Sequence, residues 1–184
     1  RLYLSPEIAA EFDSLKPLYE ALQTEGWLLN HSTPEKREDG SLVLTPEPLN
    51  FMSYPYEWCF SQLKDAARLT LAIQRKALEF GATLIDASAF NVPLHRGKPV
   101  FIDLPSLRLR KDGEPWAGYR QFCEHFLAPL AIMSAHGHGA QRLTSLHIDG
   151  IPLGLASSLL SWQTRLKTGL GAHIHLHAKQ QGRG

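Results

Sequence analysis

From Cys59 to Phe80 the chain contains neither glycine nor proline. Apolar residues recur there at three- and four-residue spacing, along Phe60, Leu63, Ala67 and Leu71 and again along Leu69, Ile73, Ala77 and Phe80. Two overlapping stripes of that period predict one long helix with a broad apolar face, closed by Gly81 and buried at the centre of the fold. Its surroundings allow no second element of that kind nearby. Pro93, Gly97, Pro99 and Pro105 punctuate the next stretch, so only short strands and turns fit between them. A central helix feeding short strands makes the chain α+β.

Upstream, Ser5-Pro6-Glu7 has the form of a helix start: a capping hydroxyl, a proline at the first helical position and an acid in the first turn. Ile8, Phe12, Leu15, Tyr19 and Leu22 continue it as one apolar face. Pro17 predicts a kink or two short helices, the second capped by Ser14, and Gly26 ends the segment. His31 to Gly40 reads as a polar loop or hairpin tip and Ser41–Leu44 as a short strand. Tyr54–Trp58 forms an aromatic turn before the central helix.

Thr83–Asp86 reads as a strand. Val92–Leu94 and Pro99–Ile102 are predicted to pair across His95-Arg96-Gly97-Lys98 as a hairpin. A second long helix is expected from about Pro115 to Ser134, bent or ended by Pro129, with residues 151–165 helical and a polar end after His177. His136-Gly137-His138-Gly139 reads as a link whose histidines are loop residues.

The chain of 184 residues is 43% hydrophobic and 20% charged, enough to bury a core. Its 19 basic and 18 acidic residues leave a formal charge of +1, which gives no support to binding nucleic acid or a membrane surface through bulk charge. No apolar run approaches the roughly 18–20 residues that span a bilayer. Cys59 and Cys123 read as free thiols of a cytoplasmic protein, although two cysteines also permit one disulfide. The chain begins with Arg1, which we read as the start of a fragment or processed piece.

The order helix, short strand, Asp86-x-x-x-x-Asn91, hairpin, Asp103 carries the chemistry. In phosphoryl transfer of the kinase type, a first Asp orients the acceptor hydroxyl. An Asn and a second Asp hold the metal ion that bridges the phosphates. The hairpin would return the chain so that Asp103 lands beside Asn91. Asp86 is then the candidate catalytic residue, and Asn91 and Asp103 the candidate Mg2+ ligands, since hard oxygen donors suit that ion. The same residue types also serve in turns, with Asp capping and Asn in a left-handed bend.

Residues 56–133 resemble the protein-kinase-like superfamily, especially its aminoglycoside-phosphotransferase-like branch, in which the second motif is Ile-Asp followed by something other than Phe-Gly; here it is Ile102-Asp103-Leu104-Pro105. The resemblance implies a mostly helical C-lobe over residues 54–184, with a truncated N-lobe over residues 1–53. Two departures stand out. Leu84-Ile85 occupies the place of the usual His and its neighbour, and no glycine-rich phosphate loop or early-strand lysine can be matched.

A longer resemblance rests on Ser53–Trp58, Gln62–Ala67, Asp86–Asn91, Tyr119–Leu130, His147–Leu153 and His173–His177. These blocks are similar to the N-terminal region of bacterial proteins described as class I SAM-dependent methyltransferases, some of them named nodulation proteins. The resemblance implies a transferase whose methyltransferase domain lies downstream and acts as this segment's partner. No Gly-x-Gly-x-Gly turn follows a strand in this chain, so S-adenosyl-L-methionine is expected only in such a downstream domain.

Three functional readings follow: a kinase-like module holding Mg2+ and ATP, a non-catalytic scaffold or regulatory domain, or an active phosphotransferase on a small molecule. Other candidates are weaker. His173, His175 and His177 would share one face and could hold zinc on a strand, but would scatter on a helix. Lys64 and Asp65 read as solvated helix charges, and Trp58, Trp116 and Tyr119 as core anchors. Arg120 and His125 would either tie down the Asp86 loop or pair with Glu124 and Asp112.

Overall fold

The computed structural model describes residues 1–181; the end Gly182-Arg183-Gly184 expected to be polar lies outside the described residues. It is α+β, as the alternation of a long helix with short strands implies.

Helix α1 (Pro6–Thr24) starts where Ser5 Oγ accepts from Ile8 N at 3.5 Å. It runs through Pro17 as one helix, not two. Phe12, Leu15, Leu18, Tyr19 and Leu22 are all buried on its inner face, and that burial offsets the hydrogen bond that Pro17 cannot donate. Ile8 falls outside this face and is 37% exposed. Strands β1 (Leu2–Leu4), β2 (Glu35–Lys36) and β3 (Leu42–Leu44) form an antiparallel sheet in the order β1-β3-β2, with Leu2 opposite Leu44 and Leu4 opposite Leu42. The His31–Gly40 stretch is therefore part of a hairpin: it contains β2, and the tip is residues 37–41.

Helix α2 (Phe60–Glu79) matches its sequence pattern. Cys59 Sγ accepts at its N-terminus while Gln62 Oε1 accepts from Cys59 N at 2.9 Å. Leu63, Ala66, Ile73 and Ala77 are 0–1% exposed. Strand β4 (Ala82–Leu84) follows and pairs antiparallel with β7 (Leu107–Leu109). Between them lies the hairpin β5 (Leu94–His95) and β6 (Lys98–Pro99). Its two-residue turn places Arg96 and Gly97 at φ 52° and 78°, the left-handed pair that suits the twist of a tight hairpin.

The second long helix begins later than its apolar pattern suggests. Helix α3 (Tyr119–Phe122) passes through a π-helical segment, Cys123–Leu127, into α4 (Ala128–His136). The widened turn sits just before Pro129, and Ala128 N reaches back to Cys123 O across it. Pro129 has no amide hydrogen, so the segment loosens around it without ending. Gly137, at φ 81°, ends α4. Short helices α5 (Arg142–Leu146), α6 (Leu153–Leu159), α7 (Thr168–Leu170) and α8 (His177–Gln181) complete the chain, with a 3-10 turn at Trp162–Leu166 and a π-helical segment at Gly171–Leu176. Among the described residues no helix is long and apolar enough to cross a membrane.

Two clusters of buried side chains result. The first joins α1, the N-terminal sheet, α2 and the β4–β7 region, from Leu4, Leu18 and Leu22 to Ile73, Leu84, Phe101 and Phe126. The second gathers Cys123, Ala128, Ile132, Ile151, Leu153, Ala156 and Ile174. The α3–π–α4 rod is the wall between them: Phe122, Phe126, Leu130 and Met133 face the first, and Cys123, Ala128 and Ile132 the second. Each fully buried Leu or Phe in these clusters contributes about 1.5–3 kcal/mol.

Candidate functional site

The Asp86 loop is held from three directions. On the α2 side, Gln74 is 8% exposed, and its Oε1 accepts from Leu84 N at 2.8 Å while its amide lies 3.3 Å from the Thr83 hydroxyl. On the β7 side, Ile85 N donates to Ser106 O at 2.8 Å. From the third direction, Trp116 Nε1 donates to Leu84 O at 2.6 Å, and Gln121 Oε1 accepts from Ala87 N at 2.6 Å. Gly118 permits that approach, because a Cβ there would lie 3.0 Å from Ala87 Cβ and from Trp116 Nε1.

Within the loop, Asp86 Oδ1 accepts from Ser88 N at 2.8 Å, and Ser88 Oγ accepts from Phe90 N at 3.3 Å. Asp86 therefore does cap a turn. Asn91 ends the following 3-10 turn, Ala89–Asn91, and is not left-handed, since Arg96 is the non-glycine residue of positive φ among those described.

The hairpin then brings the chain back, with Val100 N bonded to Pro93 O at 2.9 Å and Ile102 N to Asn91 O at 3.0 Å. Asp103 arrives beside Asn91, whose Nδ2 lies 3.4 Å from Asp103 Oδ2. Ser106 Oγ donates to the same oxygen. Burial pushes the Asp103 carboxyl above the ordinary carboxylate range; the Ser106 hydrogen bond opposes that shift and the negative charge of Asp86 adds to it. Asp86, Asn91 and Asp103 thus converge. Two partly buried carboxylates repel one another there, and the Asn91 amide nitrogen faces one of them. Among the described residues no group of three or more His, Cys, Asp or Glu side chains is placed to hold a metal ion.

Gln74, Ser106 and Gln121 support this arrangement and were not singled out from the sequence. Gln74 had a signal: it is a polar residue inside an apolar helical stripe, four after Thr70 and three before Ala77. Gln121 carried none, because its partner lies in another element, and Ser106, three residues after its partner Asp103, reads like any turn serine.

Arg120 Nε pairs with Glu124 Oε1 at 3.0 Å, the second of its two expected roles. His125 packs edge-on against Phe90 at 6.3 Å between ring centroids, at a small pocket it shares with Glu124, His147 and Gly150. The pocket's water-accessible core is about 10 Å³, close to the space of one water molecule. Burial holds the His125 imidazole below its ordinary pKa, against the opposing charges of Asp86, Glu124 and Asp149.

Lys64 and Asp65 are exposed. Trp58 is 2% exposed, with Nε1 donating to Ser53 Oγ at 3.0 Å. Cys123 is buried and Cys59 exposed, and both are free thiols. His136, read as a loop residue, closes α4 and bonds through Nε2 to Leu159 O at 2.7 Å. His173, His175 and His177 lie on helical backbone, where His175 parts from the other two. His173 Nδ1 meets Tyr119 Oη at 2.6 Å, His175 turns to Ser157 and Thr164, and His177 stacks on the Tyr119 ring at 5.3 Å.

Over 179 residues, 94% of this chain, 36% of positions are identical to those of the nodulation protein NoeA of Rhizobium meliloti (strain 1021). The chain is similar to a nodulation protein along nearly its whole length. It spans 38% of that relative's length. No family model matches the chain. No solved structure matches it either.

Proposed function

We propose that this chain is a kinase-like module that binds a divalent cation with a nucleotide at Asp86, Asn91 and Asp103, within a longer protein whose other part is a SAM-dependent methyltransferase. The observation that carries this reading is the meeting of Asn91 and Asp103 at 3.4 Å next to Asp86, after an intervening hairpin. Asn91 and Asp103 would be the metal ligands, and Asp86 would face the acceptor hydroxyl. The similarity to a relative more than twice as long supports a module with a covalent partner. S-adenosyl-L-methionine belongs to that partner in this reading, because this chain has no glycine-rich turn for it.

The test is calorimetry with Mg2+ and ATP, and electron paramagnetic resonance with Mn2+, on the wild type and Asp103→Ala. One bound ion in the wild type and loss of binding in the variant are expected; a wild type that binds neither ion nor nucleotide refutes the reading.

A scaffold role is the second reading. It is favoured because Asp86 Oδ1 and Asp103 Oδ2 already have protein partners in Ser88 and Ser106, and because Leu84-Ile85 stands where the kinase-like pattern has a His. If the site instead transfers phosphate to a small hydroxyl acceptor, Asp86→Asn abolishes ATP turnover; turnover that survives it removes Asp86 from the mechanism.

A further inference from the structure

An open pocket of about 590 Å³ lies between α6, the Trp162–Leu166 turn and α8, remote in sequence from the Asp86 loop. Ser157, Arg165, His175 and Lys179 supply its polar lining, Gly154 and Leu176 contribute to its walls, and no carboxylate among the described residues lines it. Arg165 and Lys179 are exposed and make no ion pair among the described residues.

The hydrogen bonds around His175 define its tautomer. Thr164 Oγ1 donates its one proton to Ser161 O at 2.6 Å, so at its 2.7 Å contact with His175 Nε2 it must accept. Nε2 therefore carries the hydrogen. In the neutral ring Nδ1 is bare, and Ser157 donates to it at 2.8 Å. Burial, and then the charge of Arg165, hold this imidazole below its ordinary pKa, so it is neutral near pH 7.

We propose that this pocket binds the phosphoryl group of an organic phosphate between Arg165 and Lys179, with Ser157 as a third, switchable donor. An anion arriving there offsets the Arg165 charge, which adds to burial in keeping His175 neutral. His175 then takes a proton from solvent onto Nδ1, and that N–H turns to the Ser157 oxygen. The Ser157 hydroxyl proton, released from the ring, turns outward to the anion. One proton is gained and no covalent bond changes. The groups that set this balance are Arg165 and Thr164 from the turn, Ser157 from α6 and Lys179 from α8. The pocket is far larger than a phosphate ion, so the ligand's body would lie along Gly154 and Leu176.

Isothermal titration with inorganic phosphate, without metal and with a chelator, tests this in two buffers of different ionisation enthalpy. Saturable one-to-one binding with proton uptake is expected. Arg165→Ala and Lys179→Ala should each weaken binding roughly tenfold, His175→Gln should remove the proton uptake, and Ser157→Ala should weaken binding through loss of the third donor. Lys64→Ala, an exposed charge on α2, should change nothing. Sulfate should compete and acetate should not. Far-UV circular dichroism verifies that each variant is folded. Absent saturable binding, an equal loss in Lys64→Ala, or uptake unchanged in His175→Gln overturns the proposal.

Discussion

Gln74→Leu isolates what holds β4, and hence Asp86, in place. Leucine nearly preserves the glutamine's volume, so the change removes hydrogen bonds without opening a cavity. Leu84 is 0% exposed, and its amide would be left with no acceptor, which costs roughly 1–3 kcal/mol. The Thr83 hydroxyl, in a residue 5% exposed, loses its partner as well, adding about 1 kcal/mol. The expected destabilisation is about 2–4 kcal/mol, read as the midpoint shift in equilibrium urea unfolding at unchanged slope. Thr83→Val in the Gln74→Leu background should restore roughly 1 kcal/mol, because it removes the stranded hydroxyl but not the stranded amide. A Gln74→Leu protein within about 0.5 kcal/mol of the wild type would refute the idea that this side chain completes the strand's hydrogen bonding.

Two further outcomes concern the neighbourhood of the site. Gly150→Ala should lower the melting temperature, at a cost of roughly 2 kcal/mol or more, because φ there is 99° and a Cβ would lie 2.8 Å from Glu124 Cβ and 3.0 Å from His125 Cδ2. Stability should also depend on pH through His125. Its folded pKa lies below its unfolded value near 6.5, so the unfolded chain binds more protons in the window between the two. Stability should therefore be level above about pH 6.5 and fall as pH drops from there towards the folded pKa. Urea midpoints measured across that window in the wild type and in His125→Leu should show the smaller slope in the variant, with His175 supplying the rest in the same direction.

The elements with a long periodic pattern were legible in the sequence. Helix α2, the start of α1 at Ser5-Pro6 and the Arg96-Gly97 hairpin follow from local chemistry, and the structure has all three. Strands β1 and β7 escaped notice, since three residues carry no period and their hydrogen bonds depend on partners 42 and 25 positions away. Pro17 argues locally for a break that the buried Leu18, Tyr19 and Leu22 override. The juxtaposition of Asp86, Asn91 and Asp103 was legible because a hairpin of fixed turn type dictates where its end returns. Of the braces, Gln74 showed only as a polar residue in an apolar stripe and Gln121 not at all, because a side chain's bond to a distant backbone leaves no trace in spacing.

The π-helical rod beside Pro129 ties together regions far apart in sequence. One face lines the core under the Asp86 loop, the other lines the C-terminal cluster that includes Ile174, and the same rod carries Gln121 to Ala87. A partition shared by two rooms transmits a disturbance in either. Loosening around Ile174 should therefore be felt at the Gln121–Ala87 bond, with no residue near Asp86 altered. Substitutions in the last third of the chain are thus part of the inheritance of the site, and the positions that govern it extend well beyond those that line it.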